Sequence, residues 1–183
     1  GPNGIGDLGP EAYHWLNFLY DSGCSLWQIL PLGPTGYGDS PYQCFSAFAG
    51  NPYLISPTLL LNDSLLTSQD LTGKPAFPDE KVQFEGVSPW KLALLDKAFD
   101  RFQTHNVPDL QVEFENFKAE EKLWLDDFAL FMSIKESCGG ASWSHWPEPL
   151  RKRKTKALAA FQSQHAPTIE KHRFRQFLFF RQW

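Results

Sequence analysis

An α/β fold is the class this sequence predicts, and three observations predict it. A helix-forming segment opens the chain, a short apolar run that reads as a buried strand follows through a tight turn, and the loop leaving that run is dense in glycine, proline and tyrosine. Helix then strand is half of a βαβ unit, so a partner strand before residue 1 is expected. Most of the remaining chain reads as helix and both ends look unfinished, which is the pattern of a piece excised from a larger α/β protein.

The opening helix is predicted over residues 12–20. Pro10 sits at a plausible first helical position, Glu11 lies in the first turn, Gly23 follows the end, and Trp15, Leu16, Leu19 and Tyr20 form an apolar stripe. The apolar run at residues 25–30 is the expected buried strand. After it, residues 31–44 hold six glycines and prolines together with Tyr37, Asp39, Ser40, Tyr42 and Gln43. Ligands bind α/β sheets at the carboxyl ends of strands, which is where this loop lies. Tyr37 and Tyr42 offer flat amphipathic faces, while Asp39, Ser40 and Gln43 supply donors and acceptors, a combination suited to a sugar ring. Pro34, Gly36, Gly38 and Pro41 would preorganise the backbone. The alternative is a rigid structural turn with Tyr42 buried.

Residues 45–55 read as irregular, with a short extended piece at Tyr53, Leu54 and Ile55. Residues 57–62 read as a short helix, residues 65–87 as a connecting loop, and Ser88-Pro89 as the start of a longer helix to about Thr104. Residues 108–137 read as one long helix or two. Leu123, Trp124, Leu125, Phe128, Leu130, Phe131, Met132 and Ile134 cover most of its circumference, so burial on several sides is expected. Gly139-Gly140 ends it, residues 143–149 form a link, and residues 149–165 and 167–183 give two more helices. The last is apolar on every face, and at a true carboxyl terminus would expose far more apolar area than soluble monomers tolerate.

Composition narrows the function classes. With 183 residues, 42% of them hydrophobic, and a net charge of −4, the chain is globular, and neither a nucleic-acid nor a membrane partner is expected. No run approaches the roughly 20 apolar residues of a membrane span. Cys24, Cys44 and Cys138 are an odd number of structural thiols in unrelated contexts, which fits a reducing compartment rather than a disulfide framework. Gly4-Ile5-Gly6-Asp7-Leu8-Gly9 has GxGxxG spacing without a preceding strand, so a tight turn before a helix is preferred to nucleotide binding. His14, His105, His145, His165 and His172 have no ligand-like spacing, so no metal and no cofactor are expected. The basic run from Arg151 to Lys156 reads as a solvated helix face above inward Leu150, Leu158 and Phe161. Cys44 has no base pattern beside it, and Asp126 and Asp127 point about 100° apart on a helix and cannot flank one bond. No catalytic pair is visible.

Three stretches carry a family resemblance. They are Gly4-Ile5-Gly6-Asp7-Leu8-Gly9-Pro10-Glu11-Ala12, the run from Trp27-Gln28-Ile29-Leu30-Pro31-Leu32-Gly33-Pro34-Thr35-Gly36-Tyr37-Gly38-Asp39-Ser40-Pro41-Tyr42-Gln43, and Phe45-Ser46-Ala47-Phe48-Ala49-Gly50-Asn51-Pro52-Tyr53-Leu54-Ile55. With residues 124–132 and 178–183, they resemble the amylomaltases, the 4-alpha-glucanotransferases called disproportionating enzymes in plants. The resemblance implies an incomplete (β/α)8 TIM-barrel fragment around strand two, with a mostly helical insertion. Residues 1–55 would be partial barrel, 56–165 the insertion and 166–183 a helix leading back.

It also implies an α-1,4-glucan (maltodextrin) substrate and retaining double displacement by an aspartate nucleophile, a glutamate acid/base and a second aspartate. None of these three has a counterpart in residues 1–183, so no catalytic residue is expected here. Ser40 and Tyr42 match positions on the donor side of the cleft and Tyr37 matches an aromatic that can engage glucan, while Asp39 and Gln43 mainly shape the loop. The alternative is a non-catalytic α-glucan-binding module. Location is expected to be cytoplasmic, or the plastid stroma in a plant or alga.

Overall fold

The computed structural model describes residues 1–183 apart from Asn106 and the side chain of Tyr37. Its elements are helices joined by turns, with no strand among the described residues. Two compact units emerge, one of Gly1–Leu110 with Leu178–Trp183 and one of Gln111–Phe177.

In the first unit, helix α1 spans Pro10–Asp21 with Pro10 in its first turn, as the sequence predicts. Its end is a Schellman turn. Cys24 N–H donates to Leu19 O and Gly23 N–H to Tyr20 O, both at 2.9 Å, and Gly23 takes φ +76°, where a Cβ would be strained. Yet no residue of α1 is buried. Residues 25–30, expected as a buried strand, form no ladder, and Leu26 and Leu30 are exposed. A strand exists only through hydrogen bonds to neighbouring strands, and the described residues supply none.

Helix α2, Pro57–Asn62, matches its expected span. Residues 53–55 are not extended, because Pro52–Leu54 is a 3₁₀ turn capped by Asn51, whose Oδ1 accepts from Tyr53 N–H at 3.0 Å. Helix α3, Phe84–Thr104, starts one turn before Ser88 and keeps Pro89 inside. Its buried stripe of Val87, Lys91, Leu94, Leu95, Ala98, Phe99 and Phe102 begins at Val87, so packing extends the helix upstream of the proline signal. Ile55, Leu60, Leu65 and Leu66 are buried in the same unit. The Arg101 guanidinium, 2.9 Å from Asp70, holds that carboxyl well below the usual carboxylate range.

Helices α4, Pro108–Glu120, and α5, Lys122–Ser137, are two, not one. Helix α5 buries Leu125, Phe128, Ala129, Leu130, Ser133 and Ile134, positions that cover well over half of its circumference at about 100° per residue, so it is covered on several sides as expected, while Leu123 in its first turn is exposed. In the second unit, Ala129, Leu130, Ile134, Trp146, Phe161 and Ile169 form the core, with Leu150 and Leu158 packed against it.

The single helix expected over residues 149–165 is instead α6, Glu148–Arg151, and α7, Thr155–Gln164. Lys154 N–H donates to Pro149 O at 2.8 Å and Arg153 N–H to Leu150 O at 3.0 Å, with Arg153 at φ +51°. This is a Schellman stop with arginine where glycine is usual, so no glycine marked it in the sequence. The basic run is solvent-exposed, and Lys152 pairs with Glu148 at 2.6 Å and Arg153 with Asp127 at 2.8 Å. Asp126 is bound by Arg173 at 2.7 Å and Lys122 at 3.0 Å.

Helix α8, Ala166–Gln182, corrects a further expectation. Rather than exposing its apolar faces, it buries Phe174, Phe177, Leu178 and Phe179. Phe174 meets Phe114 edge-on at 5.6 Å and Phe177 meets Phe114 at 5.3 Å, favourable aromatic geometries. Cys24 and Cys44 are exposed and Cys138 half-buried, all free, so two of the three thiols are not core residues.

Candidate functional site

The glycine- and proline-rich loop closes on itself. Asn51 N–H donates to Leu32 O at 2.7 Å, Phe45 N–H to Pro34 O at 3.1 Å and Gly36 N–H to Gln43 O at 2.7 Å, and Thr35 bridges Cys44 in antiparallel fashion. These rungs bring residues 32–36 against residues 43–51 like a short hairpin. Gly36 is required at its rung, since a Cβ there would stand 2.7 Å from Gln43 O.

At the tip, Tyr37–Asp39 makes one 3₁₀ turn in which Gly38 has φ +66° and Asp39 φ +53°. Aspartate is among the few side chains that accept this region, so two successive left-handed residues reverse the chain. Ser40 follows in extended conformation. Its Oγ accepts from Tyr42 N–H at 3.3 Å, and its carbonyl accepts from Gln43 N–H at 3.2 Å. Ser40 thereby sets the direction in which Tyr42 leaves the backbone.

Tyr42 is 73% exposed, so nothing among the described residues buries it as the structural-turn alternative would have it. Asp39 and Ser40 are half-buried and Gln43 is exposed. The structure therefore brings Ser40, Tyr42, Asp39 and Gln43 together on one loop; the side chain of Tyr37 lies outside the described residues. Two aromatics not singled out from the sequence, Phe45 and Phe48, also expose apolar rings on the return limb, Phe48 through a turn in which Ser46 Oγ accepts from Phe48 and Ala49 N–H at 3.1 Å. Their signal was present in the Phe-Ser-Ala-Phe spacing, but nothing in the sequence separates exposed from buried rings.

The return limb is fixed from outside the loop. Gly50 faces Phe179 so closely that any Cβ would overlap the ring. The GxGxxG stretch is a tight turn rather than a phosphate cradle. Gly4 takes φ +76°, and Asp7 occupies the turn, accepting from Asn3 Nδ2 at 2.9 Å and Gly9 N–H at 3.1 Å. Leu8 N–H donates to Leu54 O at 2.9 Å, tying this turn to the end of the loop. Among the described residues no group of three His, Cys, Asp or Glu could hold a metal, and no helix is long and apolar enough to cross a membrane.

An open apolar hollow of about 480 Å³ lies beside the loop's base, lined by Leu8, Ala12, Trp15, Leu16, Trp27 and Ile29 among others. Its walls include the uncovered faces of α1 and residues 25–30. Its polar lining includes Asp7 and Glu11, of which Asp7 is engaged by Asn3, Gly9 and Lys91.

A 4-alpha-glucanotransferase family model matches residues 1–183. The chain is 48% identical to the 4-alpha-glucanotransferase of Thermus thermophilus over 183 residues, covering 100% of this chain and 36% of the relative. It is 42% identical to that of Synechocystis over 98% of the chain and 36% of the relative. It is 39% identical to the chloroplastic/amyloplastic 4-alpha-glucanotransferase of Solanum tuberosum over the whole chain and 32% of the relative. Among solved structures, the amylomaltase from Streptococcus agalactiae in complex with acarbose superposes with a TM-score of 0.91 at 35% identity, covering 100% of this chain and 37% of that one. The chain thus spans about a third of the length of the relatives it matches. With its full length matched in sequence and in backbone, loop included, the chain belongs to the 4-alpha-glucanotransferase family.

Proposed function

We propose that this chain is the glucan-contacting part of a 4-alpha-glucanotransferase that passes α-1,4-glucan segments between maltodextrins. The observation that carries the reading is Tyr42, 73% exposed on a loop whose backbone is already closed by its own hydrogen bonds. A preordered aromatic platform beside a serine hydroxyl stacks on the C–H face of a glucose unit and binds its rim without first ordering the loop. The acarbose carried by the Streptococcus agalactiae neighbour, a sugar-like ligand, supports the same ligand class here.

In this reading residues 1–55 are part of a (β/α)8 barrel, residues 56–165 a mostly helical insertion and residues 166–183 the return to the barrel. Ser40 and Tyr42 line the donor side, Tyr37 engages glucan, and Asp39 and Gln43 hold the loop's shape. The chemistry is a retaining double displacement. A carboxylate attacks the anomeric carbon as an acid protonates the departing 4-oxygen; the conjugate base of that acid then deprotonates the acceptor's 4-hydroxyl, whose oxygen bonds to the anomeric carbon as the carboxylate leaves. The carboxylates that do this lie outside residues 1–183, so the chain alone is inactive. The plastid-named potato relative supports a plastid location for plant homologues of this reading.

A maltotriose assay tests it. A longer protein carrying this chain should release glucose and build longer maltodextrins, and residues 1–183 alone should do neither. Transfer by the isolated 183 residues would overturn the division of labour. Tight maltodextrin binding by those residues, abolished by Tyr42→Ala and without any transfer by the longer protein, would instead identify a glucan-binding module.

A further inference from the structure

The loop's closing limb is held by two side chains remote in sequence. Lys91 on α3 is only 1% exposed, and its Nζ donates to Asp7 Oδ2 at 2.9 Å and to Ile55 O at 2.9 Å. Gln182, near the end of α8, brackets the next residue: its Oε1 accepts from Ser56 N–H at 2.6 Å and its Nε2 donates to Ser56 O at 3.3 Å. Leu54 is tied to Leu8. Three separate elements thus converge on residues 54–56, a few residues after Asn51 N–H shuts the loop on Leu32 O.

A buried ammonium is an expensive way to fill this space. Burial pulls the pKa of Lys91 down from its ordinary value, against the opposing attraction of Asp7. Replacing a buried ion pair by an apolar pair of similar volume is often neutral or stabilising, so the ion pair by itself is weak evidence of a purely stabilising role. What an apolar pair cannot do is aim a hydrogen bond at the Ile55 carbonyl while gripping the Asp7 turn.

We infer that Lys91 is a positioning residue, fixing the closing limb of the loop and through it the angle at which Ser40 and Tyr42 meet a glucan. The inference rests on the glucan-contact reading above. It makes Asp7 a counter-charge whose task is to keep Lys91 protonated and aimed.

The test uses the longer protein carrying this chain and three forms of it: wild type, Lys91→Met, and Asp7→Asn/Lys91→Met. The single variant strands the Asp7 carboxylate and should lower Tm. The double variant removes both charges and should regain part of the lost Tm, with Ile55 O still without its donor. Positioning predicts that the double variant keeps a kcat/KM for maltotriose about tenfold below wild type, expressed mainly in KM, with faster amide exchange at Gly36, Phe45 and Asn51. A double variant with wild-type kinetics and exchange, whatever its Tm, would overturn the inference and leave Lys91 a structural residue only. If the wild type itself transfers no glucan, the functional reading fails, and the exchange comparison still decides whether Lys91 holds the loop.

Discussion

Two apolar stretches of this chain meet opposite fates. Helix α8 carries Phe174, Phe177, Leu178 and Phe179 and buries all four, while α1 with residues 25–30 carries Trp15, Leu16, Phe18, Leu26 and Leu30 and buries none of them. Composition does not separate them. The difference lies in partners: α8 finds Phe114 and Gly50 within this chain, whereas α1 and residues 25–30 border an open apolar hollow. Apolar side chains state a demand for burial, and the surrounding chain decides whether it is met.

The largest test of this contrast is Phe174→Ala. Phe174 is fully buried against Phe114, and its loss should cost about 3–5 kcal/mol in chemical denaturation. A cost near zero would mean that α8 is not packed as described. Next is Gly50→Ala, whose Cβ must displace the Phe179 ring; overpacking of this kind costs about 1–3 kcal/mol, and a Phe179→Leu background should relieve part of it.

A smaller effect is pH-dependent and belongs to the covered helix. His172 is buried with Nε2 2.9 Å from Glu136 Oε2, and burial lowers its pKa below the ordinary 6.5, aided by nearby Arg175 and Lys171 and opposed by Glu136. The unfolded chain therefore takes up this proton more readily than the folded one. The contribution is present above pH 6.5 and is lost as pH falls below it, at no more than about 1.4 kcal/mol per pH unit. The hydrogen bond from His172, with help from Lys171, holds Glu136 down to about 2, so that carboxyl adds a separate loss only as pH falls below its ordinary 4.5. Urea midpoints between pH 7.5 and 5.5 should drop for wild type and stay flatter for His172→Gln. An equal slope in both would remove His172 from the account.

The smallest expected effect lies on the uncovered side. Leu26 is 91% exposed, so Leu26→Ala in residues 1–183 should change stability by no more than about 0.5 kcal/mol. In a longer protein that covers residues 25–30 the same change should cost about 2–5 kcal/mol. Equal costs at both lengths would mean that nothing beyond these residues packs there.

Much of the helical layout was legible because its signals are local. Pro10 and Gly23 bracket α1, Pro57 opens α2, and Gly139-Gly140 ends α5, each by fixing a backbone angle or removing a donor. Where the signal was not local, reading failed. The stop at Arg153 uses a left-handed arginine, and the early start of α3 answers to Val87 finding a core. The candidate site divides in the same way. The loop's residue types and its turn were readable from Gly38, Asp39, Ser40 and Tyr42, but the exposure of Phe45 and Phe48 and the grip of Lys91 and Gln182 were not.

By itself, then, the sequence determined the family, the punctuation of the helices and the chemistry of the loop, because each rests on residue identity and short spacing. Tertiary structure alone decided that residues 25–30 form no ladder, that α8 rather than α1 is covered, and that residues 54–56 are clasped from α3 and α8. Ladders, cover and buried ion pairs all need partners far away along the chain, and one-dimensional order does not say which partners meet.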